Sequence, residues 1–174
     1  MHRRFFAVSV LPLLLAAPAF SQAEHMSQPS PELKKLDYFV GTWKTEAQMK
    51  PGPFGPGGPV SSTDHIEWQQ GNFFLVGHTE FKSQSANGVE LFVMGYDPAK
   101  KVFTYNSFNS SGEHESATGT FEGDTWTWSS GPESPMKWKY VETILSPKSY
   151  RMKFDMATDG SALTTLMEGT ATKQ

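Results

Sequence analysis

The residues with the most chemistry in them are clustered between positions 64 and 80, with further candidates at 114 and 142. Asp64-His65-Ile66-Glu67 and His78-Thr79-Glu80 flank a Gly71-Asn72 pair. A two-residue turn at that pair sets His65 opposite His78, with Glu67 beside one and Glu80 beside the other. Two imidazoles and nearby carboxylates on adjacent strands are a ligand set for zinc, copper or nickel, so His65, His78 and Glu67 form a candidate metal site. The alternation that brings them together also points them outward, as on any solvated strand face. Asp64 has the opposite parity, beside Thr79. Glu142 likewise follows Trp138 and Tyr140 on an apolar face. A carboxyl on such a face has its pKa raised by burial and can act as acid, base or polar anchor. Asp64 and Glu142 are therefore candidate ligand anchors. Nucleophilic catalysis finds no support: there is no cysteine, no G-x-S-x-G elbow and no spacing that groups Ser, His and Asp. The residues name no catalytic group.

The stretch that organises the elements is LDYFVGTWKTE, Leu36 to Glu46. Ser30 can cap a short helix, Pro31 suits its first position, and Leu33, Leu36 and Phe39 share a face. Gly41 ends the turn, and from Thr42 the period switches to two, with Trp43, Thr45, Ala47 and Met49 on one side. The Pro/Gly stretch Lys50 to Pro59 is neither helix nor interior strand and reads as a long loop, with Phe54 at its centre as a candidate plug for a cavity mouth. From Val60 onward strands alternate with turns at short intervals. The expected strands are 42–49, 60–69, 73–83, 89–96, 102–109, 113–121, 125–129, 136–145, 149–157 and 163–172. An up-and-down meander of this length either closes or leaves edges exposed. An all-β, antiparallel ten-stranded barrel with the helix closing one end is the expected fold.

Two hairpins fix an expected inner face. Turns at Gly71-Asn72 and at Asn87-Gly88 set Trp68 against Leu75 and Phe81 against Met94, and they place Asp97 near His78. Ile66, Trp68, Phe73, Leu75, Phe81, Phe92, Met94 and Tyr96 then share one side. Strand parity adds Trp126 and Trp128, then Met136, Trp138 and Tyr140, then Tyr150, Met152, Phe154 and Met156. Strand 102–109 is ambiguous, with Phe103 and Tyr105 on one face and Val102 and Phe108 on the other. A barrel this wide encloses a cavity unless large side chains fill it. The candidate lining for a small apolar or aromatic ligand is Trp68, Phe81, Met94, Tyr96, Trp126, Trp128, Trp138, Tyr140 and Phe154.

The first residues, with Arg3 and Arg4, an apolar run to about Ala17 and small residues at Ser21 and Ala23, read as a signal peptide over 1–23. Residues 24–30 read as a disordered lead-in and 31–174 as one barrel domain. Periplasmic or secreted localisation follows. No later segment approaches the roughly 20 apolar residues of a membrane helix. The net charge of −3 becomes more acidic once the leader's arginines are gone, which argues against a nucleic-acid partner. Outward Leu91, Val93 and Val102 offer a surface for a homodimer or an interaction module.

A short helix entering Gly41-Thr42-Trp43 at the head of an antiparallel meander resembles the calycin group: lipocalins, fatty-acid-binding proteins and nitrobindins. LDYFVGTW, GYDP at Gly95 to Pro98 and GEHESATGTF more specifically resemble exported bacterial proteins described as domain of unknown function 1579. The resemblance implies a barrel closed at one end, with Gly41 and Trp43 in structural roles there, and a ligand entrance at the other. It implies no established activity and no required cofactor. It also implies a haem reading with His114 as the inward ligand, although the glycine-rich sequence that follows G-x-W in nitrobindins is absent. Calycins often set an arginine of the last strand against the tryptophan, and residues 163–172 contain none. The expected function is an exported lipocalin-like binding protein, with a metal- or haem-binding barrel and a non-catalytic interaction module as alternatives.

Overall fold

Leu33, Leu36 and Phe39 recur every three residues, which is the period of a 3₁₀ helix, and Pro31–Phe39 forms one with these three side chains buried. In this computed structural model, which describes residues 28–52, 55–134, 136–157 and 162–174, the Ser30 hydroxyl caps the helix by accepting from the Glu32 N–H at 3.4 Å. The expected leader and Phe54 lie outside the described residues. Gly41 then turns the chain at φ 121, a backbone conformation that side chains with a Cβ resist.

Ten strands follow: β1 (Gly41–Met49), β2 (Gly58–Trp68), β3 (Leu75–Lys82), β4 (Asn87–Asp97), β5 (Val102–Asn109), β6 (His114–Glu122), β7 (Thr125–Ser130), β8 (Lys137–Ser146), β9 (Ser149–Ala157) and β10 (Thr164–Lys173). Each pairs antiparallel with the next, and β10 pairs with β1 to close the barrel. Closure satisfies every strand edge, which an open meander of this length would leave exposed. No helix among the described residues is long and apolar enough to cross a membrane.

Side-chain parity propagates around the ring, interrupted by register irregularities at Ile144/Ser146 and Thr165/Met167. From Trp43, the cross-strand partners run through Asp64, Thr79, Glu90 and Asn109 on one side, and through Lys173 on the other. The β2–β3 register matches the expected one, with Trp68 against Leu75, Ile66 against Gly77 and His65 against His78. The β3–β4 register does not. Phe81 faces Gly88, and Met94 faces Leu75. The turn is built on Ser83 to Ala86, where the Ser83 N–H donates to the Ala86 carbonyl at 2.8 Å and the Ser83 hydroxyl accepts from the Ser85 and Ala86 N–H groups. A hydroxyl-braced turn here outcompetes the Asn-Gly signal. The slip is six residues, an even number, so every residue keeps its face. Asp97 is moved away from His78: it faces Val102, and its carboxylate caps the β4–β5 turn, held below the usual carboxylate range by the Lys100 N–H. Strand β5 is resolved with Phe103, Tyr105 and Ser107 inward and Val102 and Phe108 outward.

Candidate functional site

The closed end is a plug of interlocked rings. Trp43 is fully buried and packs against Tyr38 and Tyr150, with ring centroids 5.3 and 5.0 Å away. Phe39 sits 5.4 Å from Trp126. Two polar tips in this plug find backbone partners. Trp43 Nε1 donates to the Phe39 carbonyl at 2.8 Å, and the Tyr38 hydroxyl donates toward the carbonyls of Ser146 and Ser149. Burial, helped by the nearby Glu142, raises that hydroxyl to about 12. Trp68 joins the same end, its Nε1 donating to Asp37 Oδ1 at 2.8 Å. The cation missing from the expected last strand is supplied one residue beyond its expected end. Lys173 pairs with Trp43 across the β1–β10 seam, holds its ammonium 5.2 Å from the ring centroid and donates to the Tyr38 carbonyl at 3.1 Å.

Above the plug the aromatic residues behave differently. Three inward glycines stand directly opposite three rings: Gly77 opposite Phe92, Gly88 opposite Phe81, and Gly119 opposite Trp128. A Cβ on Gly77 would lie 2.0 Å from the Phe92 ring, on Gly88 2.5 Å from the Phe81 ring, and on Gly119 2.4 Å from the Trp128 ring. Each ring therefore lies flat across its neighbouring strand instead of projecting toward the barrel axis. The result is a lumen. Tyr105 and Tyr140 occupy inward positions and both keep partly accessible surface. Trp138, Phe154 and Phe81 are likewise half-buried, with Phe154 lying 5.9 Å from Trp138 and 6.3 Å from Tyr140. Met94 and Trp128 are buried in the wall; Trp126 is fully buried among Phe39, Phe103 and Phe121, and Tyr96 packs at a tilt against Phe103, so these two serve the plug.

The lumen is acidic. Asp64 and Glu142 both face inward, as parity requires, and Glu90 joins them. Thr79 separates Asp64 from Glu90 in the cross-strand row, and its hydroxyl donates to Asp64 Oδ1 at 2.6 Å while Ser62 donates to Oδ2 at 3.3 Å. The Tyr105 hydroxyl donates to Glu90 Oε1 at 2.6 Å. Glu142 is buried, with Trp128 Nε1 donating to Oε2 at 3.0 Å. Burial raises all three carboxyls above their ordinary range, hydrogen bonds oppose the rise, and the negative charge of Asp64 adds to it at both Glu90 and Glu142. Glu142 reaches about 8 and is neutral at pH 7. Desolvation also lifts Tyr105, Tyr140 and Tyr150 well above the usual phenol range. The Tyr140 hydroxyl senses all three carboxyls and has no hydrogen-bond partner among the described residues. Among those residues the one basic side chain at an inward position is Lys173, engaged below Trp43. Glu90 was legible from parity, since it alternates with Phe92 and Met94, but a carboxylate in an apolar row is easily passed over.

His65 and His78 do face each other, on the outer wall, where both are exposed; His65 Nδ1 lies 3.0 Å from the Thr42 hydroxyl. Glu67 faces Val76 on the same outer surface. Among the described residues no three His, Cys, Asp or Glu side chains come close enough to hold a metal ion. His114 is exposed and stacks on Phe108 outside the barrel at 6.3 Å, so it does not fit the role of an inward haem ligand. Two open grooves, of about 690 and 420 Å³, are lined largely by outward residues such as Glu46, Gln48, Ser61 and Lys82 for the first and His78, Leu91 and Phe108 for the second. Neither is the lumen.

Comparison with known proteins agrees with this architecture. The family model described as Protein of unknown function (DUF1579) matches residues 28–173, and the chain belongs to that family. No curated protein matches by sequence. Among solved structures, Rv2717c from M. tuberculosis is similar at a TM-score of 0.58 and 14% identity, over 84% of this chain and 99% of that one. The S-type phycobiliprotein lyase CPES from Guillardia theta is similar at a TM-score of 0.57 and 11% identity, over 81% of this chain and 91% of that one. Likeness at such identities establishes a shared calycin-like barrel.

Proposed function

We propose that this member of the family is an exported binding protein that holds a small, largely apolar or aromatic molecule in the barrel lumen. The observation that carries the reading is the set of three glycine–aromatic pairs, which keep the rings of Phe81, Phe92 and Trp128 against the wall. A barrel interior that existed only for stability would let those rings interdigitate, because dispersion and apolar burial both reward filling. The remaining lining follows from the same geometry: Phe81, Trp138, Tyr140 and Phe154 supply apolar faces, and Asp64, Glu90 and Glu142 supply polar anchors. Export rests on the leader composition of residues 1–23, and N-terminal sequencing of protein recovered from the host would test it.

The binding test uses N-phenyl-1-naphthylamine, a neutral aromatic probe whose emission rises in apolar surroundings. Saturable enhancement with quenching of tryptophan emission is expected, together with a rise in melting temperature that scales with probe concentration. A linear, non-saturating response with no thermal shift would identify the barrel as a filled structural module.

A further inference from the structure

Building on that reading, we propose that the lumen selects an organic cation: a protonated amine on an aromatic or apolar body, seated among Asp64, Glu90 and Glu142 with Tyr140 as a hydrogen-bond acceptor. The fold encloses three carboxyl groups from β2, β4 and β8 in apolar surroundings and sets no described cation among them, since Lys173 is held on the far side of Trp43. Buried carboxyls are tolerated when something compensates them. Each has neutral hydrogen-bond donors, and the one cationic influence on the set among the described residues is that of the exposed His65, on the outer wall, upon Asp64. A positive complement among them would come from outside the chain, and where none is present a carboxyl can stay protonated, as Glu142 does at pH 7.

Three features narrow its identity. The carboxyls act on one another electrostatically, yet no three acidic or histidine side chains among the described residues approach closely enough to coordinate a single metal ion. A single metal ion is therefore a poorer complement to this set than an organic ammonium, which needs to hydrogen-bond to only one carboxyl at a time. Tyr105, Tyr140 and Phe154 lie on the same inner face, Tyr105 donating to Glu90, and ring faces attract an alkylammonium more than a neutral or anionic group. The Tyr140 hydroxyl has no hydrogen-bond partner among the described residues and lies within electrostatic reach of all three carboxyls, so its oxygen can accept from an N–H. An anionic ligand would meet repulsion from each ionised carboxyl, with Lys173 already engaged at the plug.

Displacement of N-phenyl-1-naphthylamine by three matched naphthalenes tests this: 1-naphthylmethylammonium, 1-naphthylmethanol and 1-naphthoate. The ammonium is expected to displace the probe about tenfold or more better than the alcohol, and the carboxylate to be the weakest. In Asp64→Asn and in Glu90→Gln the ratio of ammonium to alcohol affinity should fall toward one; two variants on different strands guard against one failing to fold, which circular dichroism will show. Isothermal titration in buffers of different ionisation enthalpy should report proton release on ammonium binding, as the raised carboxyls ionise beside the cation. Equal displacement by all three naphthalenes, a preference for naphthoate, or a ratio unmoved in both variants would overturn the proposal while leaving a ligand-binding lumen intact. Failure of N-phenyl-1-naphthylamine itself to bind would remove the lumen reading and this inference with it.

Discussion

The plug and the lumen are made of the same residue types and are put together on opposite terms. In the plug, Tyr38, Phe39, Trp43 and Tyr150 pack ring against ring, and the polar tips of Tyr38 and Trp43 end on backbone carbonyls. The exception is Trp126 Nε1, which is buried without a partner. In the lumen, rings lie back on glycines, the Tyr140 hydroxyl has no hydrogen-bond partner among the described residues, and carboxyls sit close enough for Asp64 to raise the pKa of Glu90 and Glu142. Satisfied polar groups and filled space mark the part that holds the fold together. Rings held back on glycines and like charges mark the part that the proposed guest would use.

That contrast can be broken most forcefully at Trp43. Trp43→Ala deletes a fully buried ring and orphans the Phe39 carbonyl, and should cost about 3–5 kcal/mol in urea denaturation; a loss below about 1 kcal/mol would mean the plug is not what stabilises the barrel.

Glu142→Gln should act in the opposite sense. The folded carboxyl titrates near 8, above its unfolded value of 4.5, so between those values the folded state binds the extra proton. Stability is full at acidic pH, falls by up to about 1.4 kcal/mol per pH unit as pH rises through that window, and levels off above it. The amide still accepts from Trp128 and has nothing to ionise, so the variant should match the parent near pH 5 and exceed it by a few kcal/mol at pH 9. Parallel melting-temperature curves for the two proteins from pH 5 to 9 would show that Glu142 carries no such penalty.

Gly119→Ala sharpens the comparison from the wall. The new methyl meets the Trp128 ring, which must swing toward the axis. A stability loss of about 1–3 kcal/mol is expected, with probe affinity falling further than stability alone accounts for. Lys173→Met is the smallest change: loss of the ammonium over Trp43 and of the bond to the Tyr38 carbonyl should cost about 1 kcal/mol by thermal melting without altering probe affinity.

Much of the wall could be read from the residues because strand parity survives errors of register. The Ser83–Ala86 turn shifted the β3–β4 pairing by six residues, yet Phe81, Phe92 and Met94 stayed inward. Features needing exact partners were lost. Asp97 left the neighbourhood of His78, and the glycine–ring pairs were invisible until Gly88 was known to face Phe81 and Gly119 to face Trp128. Lys173 was missed because strand ends are the least determined part of any periodic pattern. Met136, expected inward, lies before the start of β8 and is exposed for the same reason. Glu90 needed only the alternation; what hid it was the habit of treating a carboxylate as a surface residue.

The glycine–aromatic pairs also give the protein a simple means of change. The width of the lumen is governed at these positions by the absence of a methyl group on the strand next door, rather than by the ring itself. A single substitution at Gly77, Gly88 or Gly119 can resize the chamber while every group that would touch a guest keeps its chemical identity. Such positions act as calibre settings: related chains could accommodate guests of different bulk by varying them alone, and an engineer wishing to adjust size selectivity would begin there.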